Sequence, residues 1–148
     1  MTNFTVEDLR LTKSGWNLTV QGRSGSGQSP VLAQYCPQAK CGPDNEGYIP
    51  SGHTLAPNSL TLNSTGASFS GGLGTPPAFQ CAAGCDIASP TAVKVASQTT
   101  RLLAGVGIWS TSGFASSSLA LAAPTTIRAL PAEEVYRVNV LWTLSSGP

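Results

Sequence analysis

Four cysteines fall as two close pairs, Cys36-x4-Cys41 and Cys81-x3-Cys85, each bracketed by Gly and Pro. Two chemistries use thiols at such spacing. Each pair can close a small loop as a disulfide, and four thiolates can hold zinc through ligands set a few residues apart. An exported chain oxidises its thiols. Local pairs Cys36–Cys41 and Cys81–Cys85 are therefore the expected arrangement, and no metal is expected. Loops this small stiffen a turn more than they restrict the unfolded chain.

Acid–base and nucleophilic chemistry has less to work with. The single histidine, His53, sits in a loop flanked by Gly and Pro. A Ser-His-Asp arrangement needs that imidazole oriented by a carboxylate and touching a serine. Asp44 and Asp86 are candidate acids, but the run Arg23-Ser24-Gly25-Ser26-Gly27 lacks the Gly-x-Ser-x-Gly elbow. Glu133 and Glu134 are adjacent and, on a strand, would point to opposite sides, unlike carboxylates flanking a glycosidic bond. Asp44-Asn45-Glu46-Gly47 lacks the alternating ligands of a calcium loop. Neither catalysis nor a cofactor is expected. Asn3-Phe4-Thr5, Asn17-Leu18-Thr19 and Asn63-Ser64-Thr65 match the N-glycosylation sequon, a motif short enough to recur by chance.

The tryptophans carry more information. The chain has three, and two stand in Trp-x-Leu triplets near opposite ends, Trp16-Asn17-Leu18 and Trp142-Thr143-Leu144. On a strand, residues i and i+2 share a face, so each indole lies beside its own leucine. If the first and last strands pair or face one another, Trp16, Leu18, Trp142 and Leu144 gather in one cluster. That cluster either closes a core or offers sugar rings an aromatic surface, with C–H groups packed on indole and neighbouring amides and hydroxyls bonding the polar edges. Spacing does not choose between these readings.

The elements that must position these residues are strands. Period-2 alternation dominates, and no helical periodicity persists beyond a turn or two. Phe4, Val6 and Asp8 form one alternating set; Trp16, Leu18 and Val20 form a second. Leu60 and Leu62, Ala67 and Phe69, Val93 and Val95, Leu102-Leu103, Ile108-Trp109, and Leu119 with Leu121 mark shorter strands. The longest expected strand runs from Tyr136 to Ser145, with Tyr136, Val138, Val140, Trp142 and Leu144 on one face. Pro124 to Glu134 could hold one short helical turn, with Pro131-Ala132-Glu133-Glu134 as its start. Gly22 to Gly27 and Gln34 to Gly52 read as long loops, of a length that is usually functional or tied down. The expected fold is all-β, a single antiparallel β-sandwich domain over residues 1–148 with long loops stapled by disulfides.

Composition narrows the class of partner. The 148 residues carry a formal charge of +1, 41% are hydrophobic and only 10% are charged, against about 25% charged in an ordinary domain. Low charge with this hydrophobicity is the opposite of disorder. The eight Lys and Arg are scattered, so nucleic acid has no electrostatic footprint to bind. No run approaches the roughly 18 apolar residues that span a bilayer. Met1-Thr2-Asn3 enters an amphipathic strand without the basic and apolar regions of a signal peptide. Taken with the cysteines, the expectation is a segment whose export signal has been removed.

Two stretches together resemble a known family. Thr5-Val6-Glu7-Asp8-Leu9-Arg10 followed by Gly15-Trp16-Asn17-Leu18-Thr19-Val20 is similar to the start of a WxL domain, a surface module of Gram-positive bacteria. Pro131-Ala132-Glu133-Glu134 leading into Tyr136-Arg137-Val138-Asn139-Val140-Leu141-Trp142-Thr143-Leu144-Ser145-Ser146-Gly147-Pro148 resembles the Tyr-led strand and short tail on which such domains end. Asn58 to Leu62 and Leu103 to Trp109 also resemble family strands, whereas Gln34 to Gly52 has no counterpart. The four cysteines depart from the family pattern. The resemblance implies an extracellular, cell-wall-associated β-rich module that attaches non-covalently to peptidoglycan or another wall glycan, with Trp16, Leu18, Trp142 and Leu144 as its motif residues. The alternative from the chain itself is a structural subunit that assembles with copies of itself or with other surface proteins, for instance by adding Phe4-Thr5-Val6 to a neighbour's sheet edge.

Overall fold

A computed structural model describes residues 3–10, 14–99 and 106–147. In chain order its strands are β1 (Thr5–Asp8), β2 (Trp16–Gly22), β3 (Ala33–Cys36), β4 (Gly47–Tyr48), β5 (Leu60–Leu62), β6 (Ser68–Leu73), β7 (Ala78–Phe79), β8 (Cys85–Asp86), β9 (Val93–Gln98), β10 (Val106–Ser112), β11 (Leu119–Leu121), β12 (Val135–Arg137) and β13 (Val140–Ser146). They form four antiparallel sheets, ordered β1-β10-β6, β13-β2-β9-β7, β12-β3-β4 and β11-β5-β8. The fold is all-β. The expected strand at Leu102-Leu103 lies outside the described residues.

The alternation read from the sequence becomes burial most clearly in β2. Trp16, Leu18, Val20 and Gly22 are buried while Asn17, Thr19 and Gln21 are half-buried. Trp16 and Leu18 enter one core cluster with Ala96 of their own sheet and with Val6, Phe69 and Trp109 of the sheet β1-β10-β6. Two sheets thus bury side chains against each other. A second cluster, Val20, Leu62, Cys81, Ile87 and Val95, ties β2 and β9 to the sheet β11-β5-β8. Each large apolar side chain buried this way contributes about 1.5–3 kcal/mol relative to its exposed state.

Glycine is required where β6 meets β10. The pairing register shifts between Val106 and Trp109, and a Cβ on Gly72 would stand 2.1 Å from Trp109 Cε2. The indole of Trp109 therefore lies on bare backbone at this bulge.

Two expectations need correction. The run from Tyr136 to Ser145 is not one strand. Tyr136 pairs with Gln34 in the sheet of β3, whereas Val140 to Ser146 pair with β2. Asn139, between them, accepts at its carbonyl from Arg23 N (2.7 Å) and donates from Nδ2 to Gln28 Oε1 (2.8 Å). These bonds fasten the crossing point to the Arg23–Gln28 loop, and the chain changes sheet there. Gln34 to Gly52 is likewise more than a loop. Gln34 to Cys36 belong to β3, which is buried along its length, and a single helical turn α1 (Gln38–Cys41), a 3-10 turn and β4 follow. Pro131 to Glu134 closes as a turn through Glu134 N to Pro131 O (3.0 Å) without continuing into helix.

Both cysteine pairs are disulfides, Cys36–Cys41 and Cys81–Cys85, with Cα separations of 6.0 and 5.2 Å. The first clips α1 to the end of β3. The second closes the turn into β8, with Cys81 inside the second core cluster. The bonds occupy the thiols that a zinc site would need. No helix among the described residues is long and apolar enough to cross a membrane. The disulfides are compatible with an extracellular protein.

Candidate functional site: an apolar groove beside the last strand

The chain ends do meet. β2 and β13 pair along seven positions, from Val140 opposite Gly22 to Ser146 opposite Trp16. Leu144 stands opposite Leu18 and Trp142 opposite Val20. Asn17 Nδ2 donates to the Gly147 carbonyl, holding the end of β13 to the start of β2.

The two triplets nevertheless have different fates. Trp16 is fully buried and Leu18 nearly so, while Trp142 and Leu144 keep 37% and 48% of their surface exposed. β13 ends its sheet, and every one of its seven residues is exposed. The four motif side chains do not close a common core. Trp16 belongs with Phe69, whose ring centroid is 6.0 Å away at an edge-on angle. Trp142 has Phe4 as its ring neighbour, at 6.0 Å and a 49° tilt.

Phe4 and Trp142 stand on opposite walls of a groove of about 480 Å³. One wall is a continuous stretch, Asn3 to Glu7, along the free edge of β1; the other is Leu18, Trp142 and Leu144. Asn3, Thr5 and Glu7 are the polar residues of the lining, beside Phe4, Val6, Leu18, Trp142 and Leu144. Sequence reasoning placed Phe4 on a strand that could add to a neighbour's sheet edge, but not beside the triplets. Its signal was the alternation with Val6, which also lines the groove.

The frame of the groove explains the residues around the first triplet. The Arg10 guanidinium forks onto Asp8, with Nε to Oδ1 at 2.8 Å and Nη2 to Oδ2 at 3.0 Å, and Nη2 also reaches the Gly15 carbonyl at 3.0 Å. The fork ties the end of β1 to the residue before Trp16. The side-chain hydrogen bond from Arg10 holds the Asp8 carboxyl below its ordinary value, against the opposing effect of burial. Gly15 has φ 68°, and a Cβ there would lie 2.2 Å from the Gln98 carbonyl oxygen. Only glycine lets β2 start this close to β9.

The other singled-out residues are dispersed. His53 borders a separate depression. Asp86 accepts from the backbone N–H groups of Asn58 (2.9 Å) and Ala88 (3.0 Å). Asp44 is exposed on the 3-10 turn. Glu134 accepts from Gln34 Nε2, and Glu133 lies 4.0 Å from Lys40 Nζ. Among the described residues, no three His, Cys, Asp or Glu side chains gather as a metal site.

A scan against protein-family models finds no match for this chain, and neither does a search of curated proteins or of solved structures.

Proposed function

We propose that this chain is an extracellular binding module of the WxL type, which attaches non-covalently to peptidoglycan or a related wall glycan rather than catalysing a reaction. The observation that supports this reading is Trp142. It is a half-exposed indole beside a ring and two leucines, in a groove whose lining also includes Asn3, Thr5 and Glu7. Sugar C–H faces pack on such surfaces while their hydroxyls bond polar side chains. Trp16 then serves the site only as core beneath it. Pelleting the oxidised protein with purified peptidoglycan, at salt high enough to screen charge, is the test. Co-sedimentation that is lost in folded Trp142→Ala is expected. Failure of the parent protein to pellet would remove the proposal.

A second reading rests on a different observation. β13 is an unpaired edge without a charged residue and with Val140, Leu141, Trp142 and Leu144 all exposed. Natural edges of this kind are normally blunted by lysine, proline or a bulge. A partner's strand, including one from a copy of this chain, could extend the sheet there. A stable monomer at high concentration in light scattering counts against assembly.

A further inference from the structure

A second depression, of about 290 Å³, shares no lining residue with the Trp142 groove. One wall is His53 to Ala56 and the other is Pro124 with Thr126 to Arg128; Tyr136 completes the lining. Its residues carry an imidazole, a guanidinium, two threonine hydroxyls and a phenol, and no carboxylate is among them. Leu55, buried, and the exposed Ile127 give it an apolar part.

One buried residue organises both walls. Gln34, a polar interruption in the apolar run Leu32 to Cys36, is only 9% exposed. Its Oε1 accepts from His53 N (2.8 Å), its backbone N donates to His53 O (2.8 Å), and it stands opposite Tyr136 in the β3–β12 pairing. Leu55 N adds a bond to Leu32 O at 2.8 Å. On the far wall, Tyr136 Oη donates to the Arg128 carbonyl (3.1 Å), and Ile127 N donates to Pro124 O (3.0 Å). Both walls are thus fastened to one sheet before any ligand arrives, which lowers the ordering cost of binding.

Among the described residues Arg128 has no ion-pair partner. The described ion pairs are Arg10 with Asp8 and Lys40 with Glu133, and neither involves Arg128. The nearby Glu134 is turned to Gln34 instead. A guanidinium presents a planar fork of donors that matches a carboxylate in two parallel bonds. We infer that the depression between His53–Ala56 and Pro124–Arg128 is a binding site for a small carboxylate, with Arg128 as its charge partner, the His53 and threonine donors beside it, and Leu55 and Ile127 against the ligand's apolar part. Its volume lies at the small end of ligand sites, which suits one acidic sugar ring or one terminal amino-acid residue. The inference stands apart from glycan binding in the Trp142 groove.

Amide chemical shifts of the full, oxidised chain test it. The probes are N-acetylmuramic acid, glucuronic acid and N-acetyl-D-alanine, each compared with an uncharged counterpart: N-acetylglucosamine for the sugars and the alanine amide for the acyl amino acid. Saturable shifts at Thr54, Leu55, Ile127 and Arg128 are expected with the carboxylates, at millimolar affinity, and not with the uncharged compounds. The tighter of the sugar and amino-acid arms identifies the source of the carboxylate. Arg128→Gln should weaken binding about tenfold, the loss of one charge-assisted contact. Arg128→Lys should fall between, because it keeps charge without the fork. Arg128 is exposed, so neither change should disturb folding, and Trp142→Ala should leave the carboxylate response intact. Equal shifts from uncharged probes, unchanged affinity in Arg128→Gln, or no shift at these residues at tens of millimolar would each overturn the inference. Failure of wall pelleting would not.

Discussion

At the scale of single residues, the two tryptophans of the repeated triplet separate structure from surface. Trp16 is enclosed by Val6, Leu18, Phe69, Ala96 and Trp109, so Trp16→Ala removes a large buried volume. The expected cost is about 3–5 kcal/mol, enough to unfold many domains of this size. Trp142 retains 37% of its surface, and Trp142→Ala should cost about 1 kcal/mol. Urea midpoints of the two variants check the contrast, and equal losses would place both indoles in the core. Asp8 carries the second prediction at this scale. Its folded carboxyl titrates below the unfolded one because Arg10 bonds the charged form. Its contribution is therefore complete above the unfolded value, about pH 4, and is lost as pH falls through the lower, folded value. Because Arg10 is partly exposed, the effect should be about 1 kcal/mol. Asp8→Asn should be less stable at neutral pH and should show a flatter urea midpoint below about pH 4. A variant whose midpoint falls with acid as steeply as the parent's would remove the Asp8–Arg10 account.

At the scale of elements, alternation was a sound guide in β2, whereas β3, with a neighbour on each side, is buried on both faces. Trp16, Leu18 and Val20 were readable because every second residue of β2 enters a core. Three things were not readable. The break at Val138-Asn139 is set by bonds to Arg23 and Gln28, more than a hundred residues earlier, and a local period carries no trace of them. The exposure of β13 was equally hidden. Periodicity tells which side chains share a face, but not whether another layer covers that face. The turn Gln38–Cys41 is too short to show a helical period at all. The uncharged edge that results carries a prediction of its own. Thr143 lies mid-strand on the face opposite Trp142, and Thr143→Lys places a charge on the exposed edge. If β13 pairs between copies, sedimentation should show concentration-dependent association of the parent that the lysine variant lacks. Identical behaviour of the two proteins would count against assembly through this strand.

At the scale of the whole molecule, the sites divide by what frames them. The Trp142 groove lies where two sheet edges, β1 and β13, come side by side without pairing. The carboxylate depression is framed by loops pinned to a third sheet through Gln34. The apolar triplets drew attention to the first, whereas the second depended on a buried glutamine whose partners no spacing rule would connect. The pairing of β2 with β13 has a further consequence, for time rather than shape. Its seven rungs join residues 16–22 to residues 140–146. One edge of β2 therefore stays open until residues 140–146 have been made. Contacts of such long range form slowly, so the strand that finishes this sheet is also the last to reach it during synthesis.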